Sequence, residues 1–155
     1  LPEDYELWLR LWSLGFSFLR VPKTLLAWRE REDRFSRTSS MYSLTAFYRT
    51  KALYLGNVPC LHSKKVFIAG TGQAARRLGK ELQRQSFQIE AFLSPGLSST
   101  QRELRNRPII SVSEWENLPE LPIIVATRKP GAADEIREYL ENRGLLDWKD
   151  FVLCT

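Results

Sequence analysis

Histidine occurs once, at His62, and cysteine twice, at Cys60 and Cys154. The cysteines are far apart and lack the spacing of a metal motif or a disulfide framework, so a reducing cytosol is the default compartment. Cys60 reads as a loop thiol and Cys154 as a strand filler. His62 has no serine, cysteine or carboxylate at catalytic spacing and reads as a solvated loop residue. No apolar run approaches the ~20 residues of a membrane span, and no signal-peptide pattern opens the chain. Dense blocks of Lys and Arg are also missing. The net charge of +5 comes from 23 basic and 18 acidic residues, which suits phosphorylated ligands or an anionic membrane face rather than nucleic acid. A length of 155 residues allows one domain, or a small domain plus a piece of another.

What is present begins with a stretch in the middle, Val66-Phe67-Ile68-Ala69-Gly70-Thr71-Gly72-Gln73-Ala74-Ala75. An apolar run of this kind is expected of a strand buried on both faces. Gly70-x-Gly72-x-x-Ala75 then opens a helix over about 73–85. Gly70 permits a tight turn, Gly72 lets a phosphate approach the backbone, and small Ala75 lets helix and strand pack closely. Ala74, Leu78 and Leu82 mark the inner face, with Arg76, Arg77, Lys80 and Arg84 outside.

Further strands are expected at 87–93, 108–112, 122–127 and 150–154, and the polar stretch 94–107 as a loop. Ser113 is expected to cap a short helix through Leu118, and 131–142 to form another helix. This alternation predicts a doubly wound, mainly parallel, right-handed α/β sheet of Rossmann-like type over 64–155. A dinucleotide reader needs an acid at the end of its second strand. Ser94 stands there, so classical NAD binding is not expected. A nucleotide or phosphate ligand on the Gly70–Gly72 turn stays open, with Gly70, Gly72 and Gln73 as its cradle. The first and fourth strands should be neighbours across the switch point. That would bring Arg128 and Lys129 to the same anion seat; the plainer alternative is that both solvate a loop.

The first 58 residues have a different character. Tyr5, Trp8, Leu9 and Trp12 recur at helical spacing, and Gly15 stops a helix over 3–14. The runs 16–21 and 24–28 are expected as two short strands or extended pieces, 29–40 as a loop and 41–55 as a second helix. Residues 59–63 are expected as the linker. Trp8 and Trp12 are assigned to a core, the alternative being a membrane interface flanked by Arg10 and Arg20. The segment carries too little chain for its own core. It is read as a fragment that packs on chain preceding Leu1.

Glu3-Asp4-Tyr5-Glu6-Leu7-Trp8-Leu9-Arg10, then Gly15, Val21-Pro22-Lys23-Thr24-Leu25, Trp28-Arg29 and Ser36 together resemble the C-terminal end of family 2 glycosyltransferases. The resemblance implies a fragment of a GT-A transferase domain, in which Asp4 is the general base that takes a proton from the acceptor hydroxyl. Glu3 and Arg29 would then bind substrate. The alternative for Glu3 and Asp4 is simple capping of a helix. The family's metal-binding Asp-x-Asp is absent from this sequence. A divalent metal, like most of the donor site, is therefore expected only in preceding chain, and the fragment alone is expected to be inactive.

Residues 64–155 resemble Rossmann-like domains appended to some bacterial members of that family. They are also similar to the nucleotide-binding regions of sugar-modifying acetyltransferases and polysaccharide epimerases. The resemblance implies a cytoplasmic parent, placed at the inner face of the membrane if it makes peripheral contact there. Its partners would be a nucleotide sugar and a glycan acceptor. The alternatives are a non-catalytic ligand-binding or docking module and, less favoured because of Ser94, an NAD-dependent sugar-modifying domain.

Overall fold

A computed structural model describes residues 1–27, 39–96 and 103–154. Four α-helices are present among them: α1 (Glu3–Ser13), α2 (Leu44–Leu55), α3 (Gln73–Arg84) and α4 (Ala132–Glu141). Six strands form one sheet: β1 (Lys65–Ala69), β2 (Gln88–Ser94), β3 (Glu103–Leu104), β4 (Arg107–Ser111), β5 (Ile123–Val125) and β6 (Phe151–Leu153). The order across the sheet is β3-β4-β2-β1-β5-β6. All neighbours are parallel except β3 and β4, which form an antiparallel hairpin at the edge. The expected α/β sheet is therefore present, and it is Rossmann-like.

The alternation of side chains along β1 sorts the core into two layers. Val66 and Ile68 face one side, where α2 and α3 cover them through Ala52, Leu55, Leu78 and Leu82. Phe67 and Ala69 face the other, where α4 and a 3-10 turn at Val112–Asn117 bring in Ile136, Leu140 and Trp115. Both sides of β1 are buried, which is why it reads as an unbroken apolar run. On α3, Gly79 lets the helix lie close to the sheet: an added Cβ would stand 3.2 Å from Phe92 Cζ and 3.3 Å from Ile89 Cδ1.

Several expectations are corrected. Residues 16–27 hold no strand. They carry exposed apolar side chains, with Leu19 96% exposed, and no sheet edge pairs their backbone. Part of the expected loop at 94–107 is β3, joined to β4 through Arg105 and Asn106, both at positive φ (53° and 58°). Two such residues make the turn that matches the twist of a tight hairpin. The cap of the short helix is Ser111 rather than Ser113, in a reciprocal capping box with Glu114. The second helix begins later than 41: residues Ser40–Tyr42 form a 3-10 turn, and the Ser43 hydroxyl accepts from the Ala46 N–H to start α2. Trp8 is not core, being 55% exposed, while Trp12 is half-buried.

The core runs through the stretch read as a linker. Val58 and Leu61 are buried with Tyr48, Ala52 and Leu55 in the same cluster as Val66 and Ile68. An ion-paired carboxylate strengthens the join. Glu81 on α3, almost fully buried, accepts from Arg84 Nη1 at 2.7 Å and lies 3.7 Å from Arg49 Nε on α2.

Helix α1 lies outside this core and buries none of its residues completely. It ends in a Schellman motif: Phe16 N–H donates to Leu11 O and Gly15 N–H to Trp12 O, with Gly15 at φ +85°. Aromatic contacts attach it to the rest. The Tyr5 and Phe47 rings stand 5.2 Å apart, as do those of Trp12 and Trp148. Trp148 holds its position at φ +64°, a conformation that bulky residues rarely adopt. The Tyr54 hydroxyl donates to Glu6 and the Tyr42 hydroxyl to Glu3.

Candidate functional site

The strand order reverses between β1 and β5, and at the carboxyl ends of those two strands lies a cleft of ≈ 650 Å³. In open α/β sheets this crevice is where ligands bind. Gly70, Gly72, Gln73, Arg128 and Lys129 all line it. The geometry therefore brings together every candidate residue named for the second segment.

The two glycines serve different ends. Gly70 has φ +127°, and a Cβ there would lie 2.4 Å from the Ala126 carbonyl oxygen. Its role is to let β1 and β5 close on each other, which the bond from Ala126 N–H to Ala69 O completes, while Gly70 N–H donates to Leu93 O on the β2 side. Gly72 has φ −77° and open space where a Cβ would be. It precedes α3 as its N-cap and offers no side-chain cap. The first-turn N–H groups have no partner within the helix, and Gly72, Gln73 and Ala74 line the cleft at the positive end of the helix dipole.

Arg128 and Lys129 arrive on the loop after β5 and are exposed. The Lys129 N–H donates to Thr127 Oγ1 at 3.3 Å, which turns the chain at that point. Gly131, at φ +76°, then starts α4.

Three further contributors escaped the sequence reading. Arg77 was placed on the outer face of its helix, yet it is half-buried and lines the cleft. Its spacing of four from Gln73 was the available signal, since i and i+4 share a helix face. Glu135 brings a carboxylate to the same cleft from the first turn of α4. Tyr48 comes from α2, and nothing local could have assigned it there. Ser94 is buried at the end of β2, where its hydroxyl donates to Gly96 O at 3.4 Å. Among the described residues no cluster of three or more His, Cys, Asp or Glu could hold a metal ion.

Glu3 and Asp4 lie in the first turn of α1, exposed and away from the cleft lining. Arg29 lies outside the described residues, as do Trp28 and Ser36. Among the described residues no helix is long and apolar enough to cross a membrane. No protein-family model matches the chain, and no curated protein matches it.

Proposed function

We propose that the chain is the C-terminal part of a bacterial family 2 glycosyltransferase whose Rossmann-like portion binds a nucleotide or another phosphorylated ligand. The observation that carries the binding reading is the cleft itself. An uncapped helix N-terminus, a glycine turn with open space above Gly72, and the cations Arg77, Arg128 and Lys129 converge on one hollow at the switch point. Backbone N–H groups and the helix dipole favour an anion there, and the cations add long-range attraction.

The transferase reading rests on the order of motifs from Glu3 to Ser36. It is supported by the exposed carboxylates of Glu3 and Asp4 at the start of α1 and by the uncovered apolar side chains over 14–26, which suit contact with more of a GT-A domain. In this reading Asp4 is the base that deprotonates the acceptor hydroxyl as it attacks the anomeric carbon of a nucleotide sugar. Direct displacement then inverts the anomeric centre: the bond to the acceptor oxygen forms as the anomeric C–O bond to the nucleoside diphosphate breaks, the diphosphate leaves, and the surface glycan is one sugar longer. The parent works in the cytoplasm, at the inner face of the membrane where its acceptor lies.

One observation favours a non-catalytic role for the cleft. Among the described residues its lining has one carboxylate, Glu135, and no second acid or histidine to serve as a proton-transfer pair. Binding, rather than a second chemical step, is the role this lining suits. Ser94 in place of a ribose-holding acid argues against an NAD enzyme.

Two experiments test the two halves separately. In the full-length parent, Asp4→Asn should abolish sugar transfer while leaving donor binding intact, and retained transfer would remove Asp4 as base. With residues 1–155, thermal unfolding should shift upward in millimolar nucleotide or pyrophosphate. No shift with any such ligand would leave the cleft an empty scaffold.

A further inference from the structure

A second hollow, of ≈ 260 Å³, adjoins the switch-point cleft and shares two of its lining side chains, Tyr48 and Arg128. Its remaining walls are Tyr5 from α1, Leu44, Phe47 and Lys51 from α2, and Cys154 after β6. Three aromatic rings therefore stand beside one end of the cleft, with the Tyr5 and Phe47 rings packed 5.2 Å apart. At ~30 Å³ per water molecule the hollow has room for several waters, enough for a flat heterocycle.

The opposite end of the cleft, at β2, differs in kind. Pro95 and Gly96 line it there, and neither has a polar side chain. The Ser94 hydroxyl is turned onto Gly96 O. A hollow of ≈ 130 Å³, half the volume of the aromatic one, adjoins that end at Pro95 and Glu135. Its rings are already engaged: Trp115 and Tyr139 pack edge to face at 5.1 Å, and the Arg143 guanidinium lies over Tyr139.

We propose that the cleft is bipartite and takes a nucleoside diphosphate in a set direction: the phosphates on the Gly70–Gly72 turn beside Arg128, and the base in the aromatic hollow between α1 and α2. This rests on the phosphate-binding reading given above and adds the direction, the base subsite and the role of α1. Every nucleobase has a π-face that an aromatic ring can stack on. Tyrosine hydroxyls and the Lys51 ammonium supply donors, and the hydroxyls acceptors, for a base edge or a ribose. Burial pushes the Tyr5 phenol further above its ordinary value of 10.0. A consequence is that the ligand touches α1 one residue from Asp4, joining the accessory cleft to the helix that carries the candidate base.

The test uses residues 1–155 and calorimetric titration with pyrophosphate, UDP, ADP and geranyl diphosphate. UDP or ADP should bind at least about tenfold more tightly than pyrophosphate, the increment expected of one stacked base. Tyr5→Leu and Phe47→Leu keep apolar volume but remove the rings, and each should bring nucleotide affinity down toward that of pyrophosphate. Circular dichroism verifies their folding, and Tyr5→Phe, which keeps the ring, should retain most of the affinity. Nucleotides binding no more tightly than pyrophosphate, or a nucleotide advantage that survives both leucine variants, would overturn the base subsite while leaving the phosphate seat standing. Geranyl diphosphate binding more tightly than both nucleotides would assign the hollow to an apolar chain and overturn the proposal. Absence of binding by every diphosphate would remove the phosphate reading itself, and the subsite with it.

Discussion

The Cβ that Gly70 lacks would stand 2.4 Å from the carbonyl oxygen of Ala126, whereas at Gly72, two residues on, nothing lies within 4 Å. One glycine of the pair is needed by the fold and the other is available to a ligand. Gly70→Ala must both hold φ near +127° and push β1 from β5, so it should cost roughly 2–4 kcal/mol, measured by urea unfolding. Gly72→Ala should cost less than about 1 kcal/mol, the scale of a change in N-cap preference. Its methyl would project where a phosphate is proposed to sit, so it should weaken diphosphate binding despite a nearly unchanged fold. Equal destabilisation by the two alanines would refute this division of roles.

Glu81 links two helices from an almost fully buried position, while its partners Arg84 and Arg49 are half exposed. Removing the carboxylate leaves both guanidinium groups able to reach water. Glu81→Ala should therefore cost about 1–3 kcal/mol, the range for losing a charged hydrogen bond. Arg49→Ala should cost less than about 1 kcal/mol, because that contact is 3.7 Å long and exposed on the arginine side. Chemical denaturation of the two variants compares them directly.

Helix α1 is attached by surface contacts, and one of them responds to acid. The Tyr54 hydroxyl bond, with Arg10 helping, holds the Glu6 carboxyl below its ordinary value of 4.5. A depressed folded value means that this contribution is present above 4.5 and is lost as pH falls through the lower folded value. Acidification should loosen α1 before the sheet unfolds. The expected signature is faster protease cleavage within 14–27 and a red shift of tryptophan emission, since Trp8 and Trp12 both lie on α1. Glu6→Gln should remove the pH dependence of this step, and an unaltered dependence would place its origin elsewhere.

The two thiols should differ in reactivity. Burial raises the value of Cys154, only partly offset by Lys51, and burial also raises that of half-buried Cys60. The thiolate is the reactive form, so both should alkylate slowly at pH 7. Mass spectrometry after iodoacetamide treatment should find Cys60 modified first and Cys154 only in denaturant. For stability the sign is opposite to that of Glu6. A raised folded value leaves full stability below the ordinary 9.0 and loses it as pH rises beyond. Early modification of Cys154 in the folded protein would contradict its position in the core.

Much of the sheet was legible because its signals are local. β1 is an apolar run buried on both faces, α3 repeats Ala74, Leu78 and Leu82 inward, and the turn between them announces itself in two glycines. The juxtaposition of Arg128 and Lys129 with that turn also followed, since doubly wound sheets leave few choices for the neighbour of the first strand. The errors fell where partners are distant. Apolar residues at 16–27 look like strands, but a strand needs a partner, and neither edge strand of the sheet, β3 or β6, pairs with them. The β3–β4 hairpin was hidden because Arg105 and Asn106 carry no glycine to mark their positive φ.

The amino-acid sequence by itself determined the α/β class, the place of the glycine turn and two of the cations, Arg128 and Lys129, that could meet an anion there. Only the tertiary structure decided what α2 belongs to. Its periodicity shows that Tyr48, Ala52 and Leu55 want burial, but periodicity names a face and not the surface that covers it. Packed on the sheet beside α3, α2 draws residues 44–61 into the sheet's core and brings Tyr48 to the cleft. Its other side meets Tyr5 of α1. That choice among apolar partners is made by long-range packing, which no local pattern encodes.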